Sequence, residues 1–408
     1  MRVQVVDPSA FTPPYDHSLC AALARSGATV ELITSRFAYG EAPTVEGYRR
    51  HELFYRYARG APGSRARRLA KLVEHVPDML RYRRLAGDAD VVHFQWLDVQ
   101  WLDRYLLPNR PIVLTAHDLL PREARRGQAR AQRRLYDAVD AVVVHSEYGC
   151  RQLTQVLGVD PATVHVIHHG AFAHLTGGCS RAATDLPLPT AVGSPGTSAA
   201  ASWAAGGLGA DSGAGAFAGP GSATLPRELE RVTAPVVLFF GLLRPYKGID
   251  VLLRAWRGIT GAELWVVGRP RMALAPLQTL AGPGVRFVAR FVSNAELRAF
   301  FARADLVVLP YSRTDRFDQS GVLATAMAFA KPIVVSDIGG FGELAALGAA
   351  RLVAPGDVGA LHDALQSLLV DAGERGRLAR AAQAAAHGPY SWEQAACKTL
   401  ALYQTLTC

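Results

Sequence analysis

The stretch from Leu306 to Leu344, LVVLPYSRTDRFDQSGVLATAMAFAKPIVVSDIGGFGEL, constrains the fold more than any other part of the 408-residue chain. Leu306–Leu309 is a short apolar run closed by Pro310, the pattern of a strand buried on both faces. Tyr311–Gln319 is a polar loop. Ser320 stands where an N-cap belongs, and Gly321–Ala330 is apolar on nearly every side, as a buried helix is. Lys331-Pro332 ends that helix, Ile333–Val335 is a second buried strand, and Gly339-Gly340 turns the chain into another helix. Strand, loop, helix, strand is a parallel crossover unit. Such units bind ligands at the carboxyl ends of their strands, here the loops Tyr311–Gly321 and Ser336–Gly342. Free backbone N–H groups of Ser320, Gly321 and Val322 at a helix start would cradle a phosphate.

The same alternation runs through the rest of the chain. Arg2–Val6, Thr29–Thr34, Val91–Trp96, Ile112–Ala116, Ala141–His145 and Val164–Ile167 read as strands of one doubly wound parallel sheet. Val236–Phe240, Leu264–Val267, Val285–Val288, Leu306–Leu309 and Ile333–Val335 read as strands of a second. From Thr176 to Leu225 the text is Gly, Ala, Ser, Thr and Pro with three charged residues, Arg181, Asp185 and Asp211. Such a segment cannot bury enough apolar surface to offset its chain entropy, so it is expected to be a disordered insertion or linker. The expected organisation is an α/β chain of two Rossmann-like domains: residues 1–172, a low-complexity linker at 173–228, and residues 229–408.

Half the residues are apolar and 19% are charged, a globular balance. No run is long and apolar enough for a transmembrane helix, and the chain opens on a strand rather than a signal-peptide pattern, so a cytoplasmic location is expected. Five scattered cysteines with no CxxC pair fit reduced thiols and argue against a zinc site. The net charge of +9 is concentrated in two runs. In the first, Arg65, Arg67, Arg68, Lys71, Arg81, Arg83 and Arg84 interleave with Leu69, Leu72, Val76 and Leu80 at helical spacing. This is either a solvated face or a basic amphipathic helix lying on an anionic membrane. The second is Arg122–Arg134. Neither carries a nucleic-acid-binding motif, so no nucleic-acid partner is expected.

The run SGVLATAMAFAKPIVVSDIGGFGEL resembles the donor-binding segment of family-4-type (group 1) retaining glycosyltransferases, which have the GT-B fold. That family usually carries two Glu residues separated by seven positions, the second gripping the donor ribose. Phe317 and Thr325 occupy those places here, and Gln319–Val322 is similar to a variant branch in which Gln-Ser-Gly-Val opens the helix. Asp315, Asp318 and Glu343 are the carboxylates that could substitute. The resemblance implies transfer of a hexose from a nucleotide-diphosphate sugar, UDP- or GDP-linked, to an acceptor of unknown identity with retention of configuration. It also implies a last helix, near Trp392–Leu406, that crosses back onto the first domain.

Candidate site residues follow. FGLLRPYKG, Phe240–Gly248, ends a strand and opens a helix. The resemblance makes Lys247 a diphosphate ligand, with Arg244 replacing the Arg usually found beside Gly241. Two cations at a helix start neutralise a diphosphate leaving group. His117, in LTAHD, resembles a His that lies near the transferred sugar; the plainer alternative is a capping or structural histidine beside Asp118. Glu343 resembles the acid of the Gly-Gly-x-x-Glu text. Donor-binding candidates are therefore Gly241, Gln319, Ser320, Gly321, Val322 and Glu343, with Tyr15 and Asp16 as acceptor contacts. His93 sits within an apolar strand, where a core role is the more common one, and His169-Gly170 is either structural or functional. The Pro-rich loop Asp7–Tyr15 lacks the Gly pair usual after the first strand, which suggests a differently shaped acceptor mouth. No DxD pair stands in the loop where a metal-dependent nucleotide-sugar site would need it, so no metal and no cofactor are expected, the two cations and helix termini standing in. A nucleotide-sugar-binding protein without transfer activity is the alternative that Phe317 and Thr325 motivate.

Overall fold

The structure is a computed structural model that describes residues 1–38, 42–58, 60, 64–97, 99–121, 127–176, 225–314 and 316–407. The expected linker, apart from its flanks, lies outside the described residues, as do Asp315 and the first part of the second basic run, residues 122–126.

Among the described residues, thirteen strands form two all-parallel sheets. In the first, the order is β3-β2-β1-β4-β5-β6-β7. Its strands are β1 (Arg2–Asp7), β2 (Thr29–Ser35), β3 (Arg49–Phe54), β4 (Val91–Phe94), β5 (Ile112–Thr115), β6 (Ala141–Val144) and β7 (Val164–Val166). The second is ordered β10-β9-β8-β11-β12-β13. It contains β8 (Val236–Phe240), β9 (Glu263–Val267), β10 (Val285–Val288), β11 (Leu306–Leu309), β12 (Ile333–Ser336) and β13 (Arg351–Val353). Central strands such as β4, β6 and β11 are buried at every residue, because helices cover both faces. The two strands that sequence reading did not find, β3 and β13, are edge strands. RRHELF and RLV lack the apolar run of a central strand because one side meets solvent.

Strand order reverses between β1 and β4 in the first sheet and between β8 and β11 in the second. At each reversal the flanking connections diverge to opposite faces and leave a crevice. The loops that border the second crevice, 241–248 and 310–320, hold Gly241, Arg244, Lys247, Gln319 and Ser320.

The domains touch closely. A bridge pairs Asp118 with Phe317, and the Leu119 N–H donates to Arg316 O at 3.1 Å. The last helix, Trp392–Thr407, packs on helix Pro13–Arg25 and on β4 of the first domain. Tyr403, on that helix, has its hydroxyl 2.6 Å from His93 Nδ1, while His93 Nε2 lies 2.7 Å from Thr115 Oγ1. Burial pushes the His93 pKa down to about 3, so the ring is neutral and acts as a core crosslink between sheet and helix. Gly170 faces Trp392 so closely that a Cβ would lie 2.5 Å from the indole ring, which fixes the residue type there. On either side of the unassigned stretch, Leu175 and Leu229 are buried in the core that the two domains share.

Candidate active site

In the second domain the crevice is built on close backbone packing. Gly241, just past β8, and Gly248 both have positive φ (+116° and +65°), and a Cβ on Gly248 would lie 1.9 Å from Pro310 O. Only glycine lets the two loops approach this far. Lys247 between them is buried, 6% exposed. Its Nζ donates to Tyr311 Oη at 2.8 Å, and Tyr311 Oη lies 3.1 Å from Ser320 Oγ. A Cβ built on Gly241 would meet Lys247 Nζ at 2.9 Å and Val322 Cγ2 at 3.2 Å. The cation, the glycine loop and the start of helix Gly321–Ala328 thus converge on one point. Arg244 is half-buried on the same loop.

Ser320 is the N-cap, as its position in the sequence implies. The expectation of three free amides is corrected, however. The Ser320 N–H donates to Gln319 Oε1 at 3.0 Å, and the Val322 N–H donates to Ser320 Oγ at 3.2 Å. Gly321 is exposed at the helix start. Buried Gln319 Nε2 has no hydrogen-bond partner among the described residues, so a donor group waits there for an acceptor. Thr325 turns its hydroxyl back to Gly321 O at 2.8 Å, and Phe317 packs on Tyr311 and Phe341.

Two of the carboxylates bind the other domain. Asp318 is completely buried. It accepts the His145 backbone N–H at 2.6 Å and the Ser146 hydroxyl. Burial drives its pKa up to about 7 against these two bonds, which lower it. Glu343 accepts the Tyr148 N–H at 3.1 Å, at the start of the short helix Glu147–Arg151. The structure therefore places Glu343 at the domain contact.

In the first domain His117 sits past β5 in a cage of rings. Its imidazole stacks on Trp96 (4.9 Å, 14°) and meets the edge of Tyr15 (4.6 Å, 86°). His117 Nε2 is 3.1 Å from Gln95 Oε1, and its Nδ1 is 3.4 Å from His145 Nε2. His145 is kept neutral, its pKa lowered to about 3 chiefly by burial, and its Nδ1–H donates to Ile167 O at 3.0 Å. His145 Nε2 is then an acceptor facing His117 Nδ1. His169 packs on Tyr15, His145 and Trp392 and is also held neutral by burial, with a pKa of about 4. Gln95, fully buried with Nε2 unpartnered among the described residues, was missed by sequence reading. A polar residue directly after buried β4, at the strand-order reversal, was the available signal.

Tyr15 is buried beneath His117, and Asp16 lies behind the loop, with Thr12 Oγ1 3.3 Å from its carboxylate. The loop itself is organised by Asp7, whose carboxylate accepts the N–H groups of Ser9, Phe11 and Thr12 at 3.2, 2.6 and 3.1 Å. Burial raises the pKa values of both Asp7 and Asp16, and the two are close enough to share one proton. A cavity of about 200 Å³ opens beside Gln95, Trp96, His117 and Asp118, with Phe11 at its edge.

Two α/β domains facing each other, with a cation-lined helix start on one side and a caged histidine on the other, define a GT-B enzyme. Comparison with known proteins gives the class. Residues 15–171 match the family described as Glycosyltransferase Family 4, and residues 234–371 match Glycosyl transferases group 1. The chain is 29% identical over 427 aligned positions to the D-inositol 3-phosphate glycosyltransferases of Mycobacterium bovis and Mycobacterium tuberculosis, covering 94% of this chain and 76% of theirs. Among solved structures it is similar to Anabaena HepE in complex with UDP-glucose (TM-score 0.68, 18% identity, 98% of this chain and 100% of that one). It is also similar to sucrose-phosphate synthase from Thermosynechococcus elongatus (TM-score 0.67, 19% identity, 100% and 99%). The chain is a family-4-type, group 1 glycosyltransferase of the GT-B fold.

Proposed function

We propose that the protein transfers a hexose from a UDP- or GDP-sugar to an acceptor held by the first domain, with retention and without a metal ion. The observation that carries the reading is the meeting of Lys247 Nζ, Gly241 and the Ser320–Val322 helix start at the strand-order reversal of the second sheet. A diphosphate placed there gains negative charge as the bond from the anomeric carbon to the phosphate oxygen breaks. Lys247, with Arg244 on the same loop, stabilises that charge. The acceptor oxygen forms the new bond to the anomeric carbon, and its proton passes to the departing phosphate. The leaving group is a nucleoside diphosphate. His117, oriented by His145 and Gln95, borders the sugar, and Gln319 Nε2 and Gln95 Nε2 supply hydrogen bonds to it.

The helix Arg65–Leu85 supports a peripheral membrane association. Its buried residues are His75, Met79 and Tyr82, while Leu69, Leu72 and Val73 are 64%, 53% and 69% exposed among exposed arginines. No helix among the described residues is long and apolar enough to cross a membrane; this one suits the surface of an anionic bilayer on its cytoplasmic side.

The test is release of free sugar from UDP-glucose and GDP-glucose without acceptor, in EDTA. Slow hydrolysis of one donor, lost in Lys247→Ala, supports the reading. Tight donor binding with no turnover, with or without an acceptor panel, would favour a nucleotide-sugar-binding role, the reading that Phe317 and Thr325 motivate.

A further inference from the structure

The loop after β1 contains no glycine, yet Ala10 holds φ at +51°, in the left-handed region that side chains disfavour. Asp7 keeps the loop in that shape by accepting the N–H groups of Ser9, Phe11 and Thr12. Thr12 stands at the N-cap of helix Pro13–Arg25, but its side chain makes no capping bond. Its hydroxyl instead donates to Asp16 Oδ1 at 3.3 Å and accepts the Trp96 indole N–H at 3.1 Å. Trp96 is the ring stacked on His117.

The acids behind the loop have different tasks. Asp7 and Asp16 are both buried and are hydrogen-bonded to each other. One proton held between them removes a repulsion of like charges. The three N–H groups that Asp7 receives favour its ionised form. The proton then belongs to Asp16, which donates to Asp7 and accepts from Thr12. Burial raises both pKa values, that of Asp16 well above the usual carboxylate range.

We propose that Thr12, with Asp7 and Asp16 behind it, is a positioning residue for His117. The acids fix the loop, Thr12 fixes the Trp96 indole, and Trp96 fixes the plane of the imidazole. A strained alanine, a forgone helix cap and a buried acid pair converge on this one chain of contacts. Burial of the loop's own apolar residue does not account for them, because Phe11 is 55% exposed. The inference rests on the glycosyltransferase reading only for the place of His117 beside the sugar; the link from Thr12 to the ring stands on its own geometry.

The test uses the full chain. Thr12→Val keeps the shape and removes the hydroxyl, Thr12→Ser keeps the hydroxyl, and Asp7→Asn and Asp16→Asn separate the two acids. Two nuclear magnetic resonance signals report placement without any donor. One is the Trp96 indole N–H, assigned by its loss in Trp96→Phe. The other is the His117 ring protons, which lie in the ring current of Trp96. Thr12→Val should move both signals. It should lower kcat for hydrolysis of UDP- or GDP-glucose by about tenfold to a hundredfold, as misplacement does. KM should stay within about twofold, because the second domain holds the donor. Thr12→Ser should recover most of the loss. Asp7→Asn should lower kcat roughly tenfold more than Asp16→Asn, since an amide at 16 keeps a donor and an acceptor while an amide at 7 leaves buried N–H groups unpaired. If Asp7→Asn does not fold, the Thr12 pair decides. Signals that move with kcat unchanged, or a loss in Thr12→Val that Thr12→Ser does not recover, overturn the proposal. So do His117 signals that stay in place in Thr12→Val. A wild-type chain that neither binds nor hydrolyses a nucleotide sugar refutes the glycosyltransferase reading, and the two signals still decide the link from Thr12 to His117.

Discussion

The Asp318 carboxylate of the second domain accepts the His145 backbone N–H of the first at 2.6 Å, out of contact with water. His145 also lies 3.4 Å from His117 Nδ1 through its Nε2, so the contact ties the meeting of the domains to the placement of His117. Asp318 lies one residue from Phe317, where related enzymes carry a Glu.

Closure is therefore expected to depend on pH. Asp318 has its pKa raised to about 7 in the closed form, from 3.8 when exposed. Between these values the closed form binds the extra proton, so closure weakens as pH rises from about 4 to about 7 and is level above that. Small-angle scattering of the ligand-free protein should show the radius of gyration growing over that window. Asp318→Asn mimics the protonated acid, accepting from His145 and donating to Ser146, and should abolish the trend while staying compact. A pH trend that survives in the variant would assign it to other groups.

Lys247 separates catalysis from stability. Lys247→Ala should lower kcat by roughly two to three orders of magnitude, the scale of losing one oxyanion-type donor. Because the stem is buried, it should also destabilise the fold, by about 1–3 kcal/mol. Lys247→Met keeps the stem and should restore melting temperature but not turnover. Arg244→Lys should recover only part of the activity lost in Arg244→Ala, since a fork becomes a point charge. Near-wild-type turnover in Lys247→Met would place the diphosphate elsewhere.

Gly340 tests the need for a tight fit. A Cβ there would lie 2.5 Å from Ser146 Cβ across the domain contact. Its φ is ordinary, −81°, so alanine strains the interface and not the backbone. Gly340→Ala should leave far-ultraviolet circular dichroism unchanged and lower kcat/KM by about tenfold to a hundredfold, as misplacement on the ångström scale does. Unchanged kinetics would show that the contact opens during turnover without consequence.

Helix Arg65–Leu85 should bring the protein down with anionic vesicles at low salt and release it at high salt, because exposed charge is screened. Reversing Arg65, Arg68 and Arg84 to Glu, all exposed, should abolish sedimentation without changing melting temperature. Sedimentation that persists in the triple variant would remove the membrane from the proposal.

Much of the architecture was legible from residue pattern. Fully buried strands such as Val236–Phe240 and Leu306–Leu309 announce themselves because both faces are dry, and an N-cap such as Ser320 is a local chemical choice. The Phe240–Gly248 stretch was likewise readable as a strand end leading into a helix, and the structure adds the left-handed φ of Gly248 and its close approach to Pro310 O. What tertiary structure alone decided were relations between residues far apart in sequence. Asp318 meets His145 across 173 positions, and His93 meets Tyr403 across 310. The face of helix Arg65–Leu85 that is buried depends on where β3 places Tyr55, which spacing alone does not tell; Leu69 and Leu72 lie on the exposed side. A side chain's burial and pKa are set by what packs on it. For Lys247, Asp318 and Gln95, the packing partner lies on another strand or in another domain.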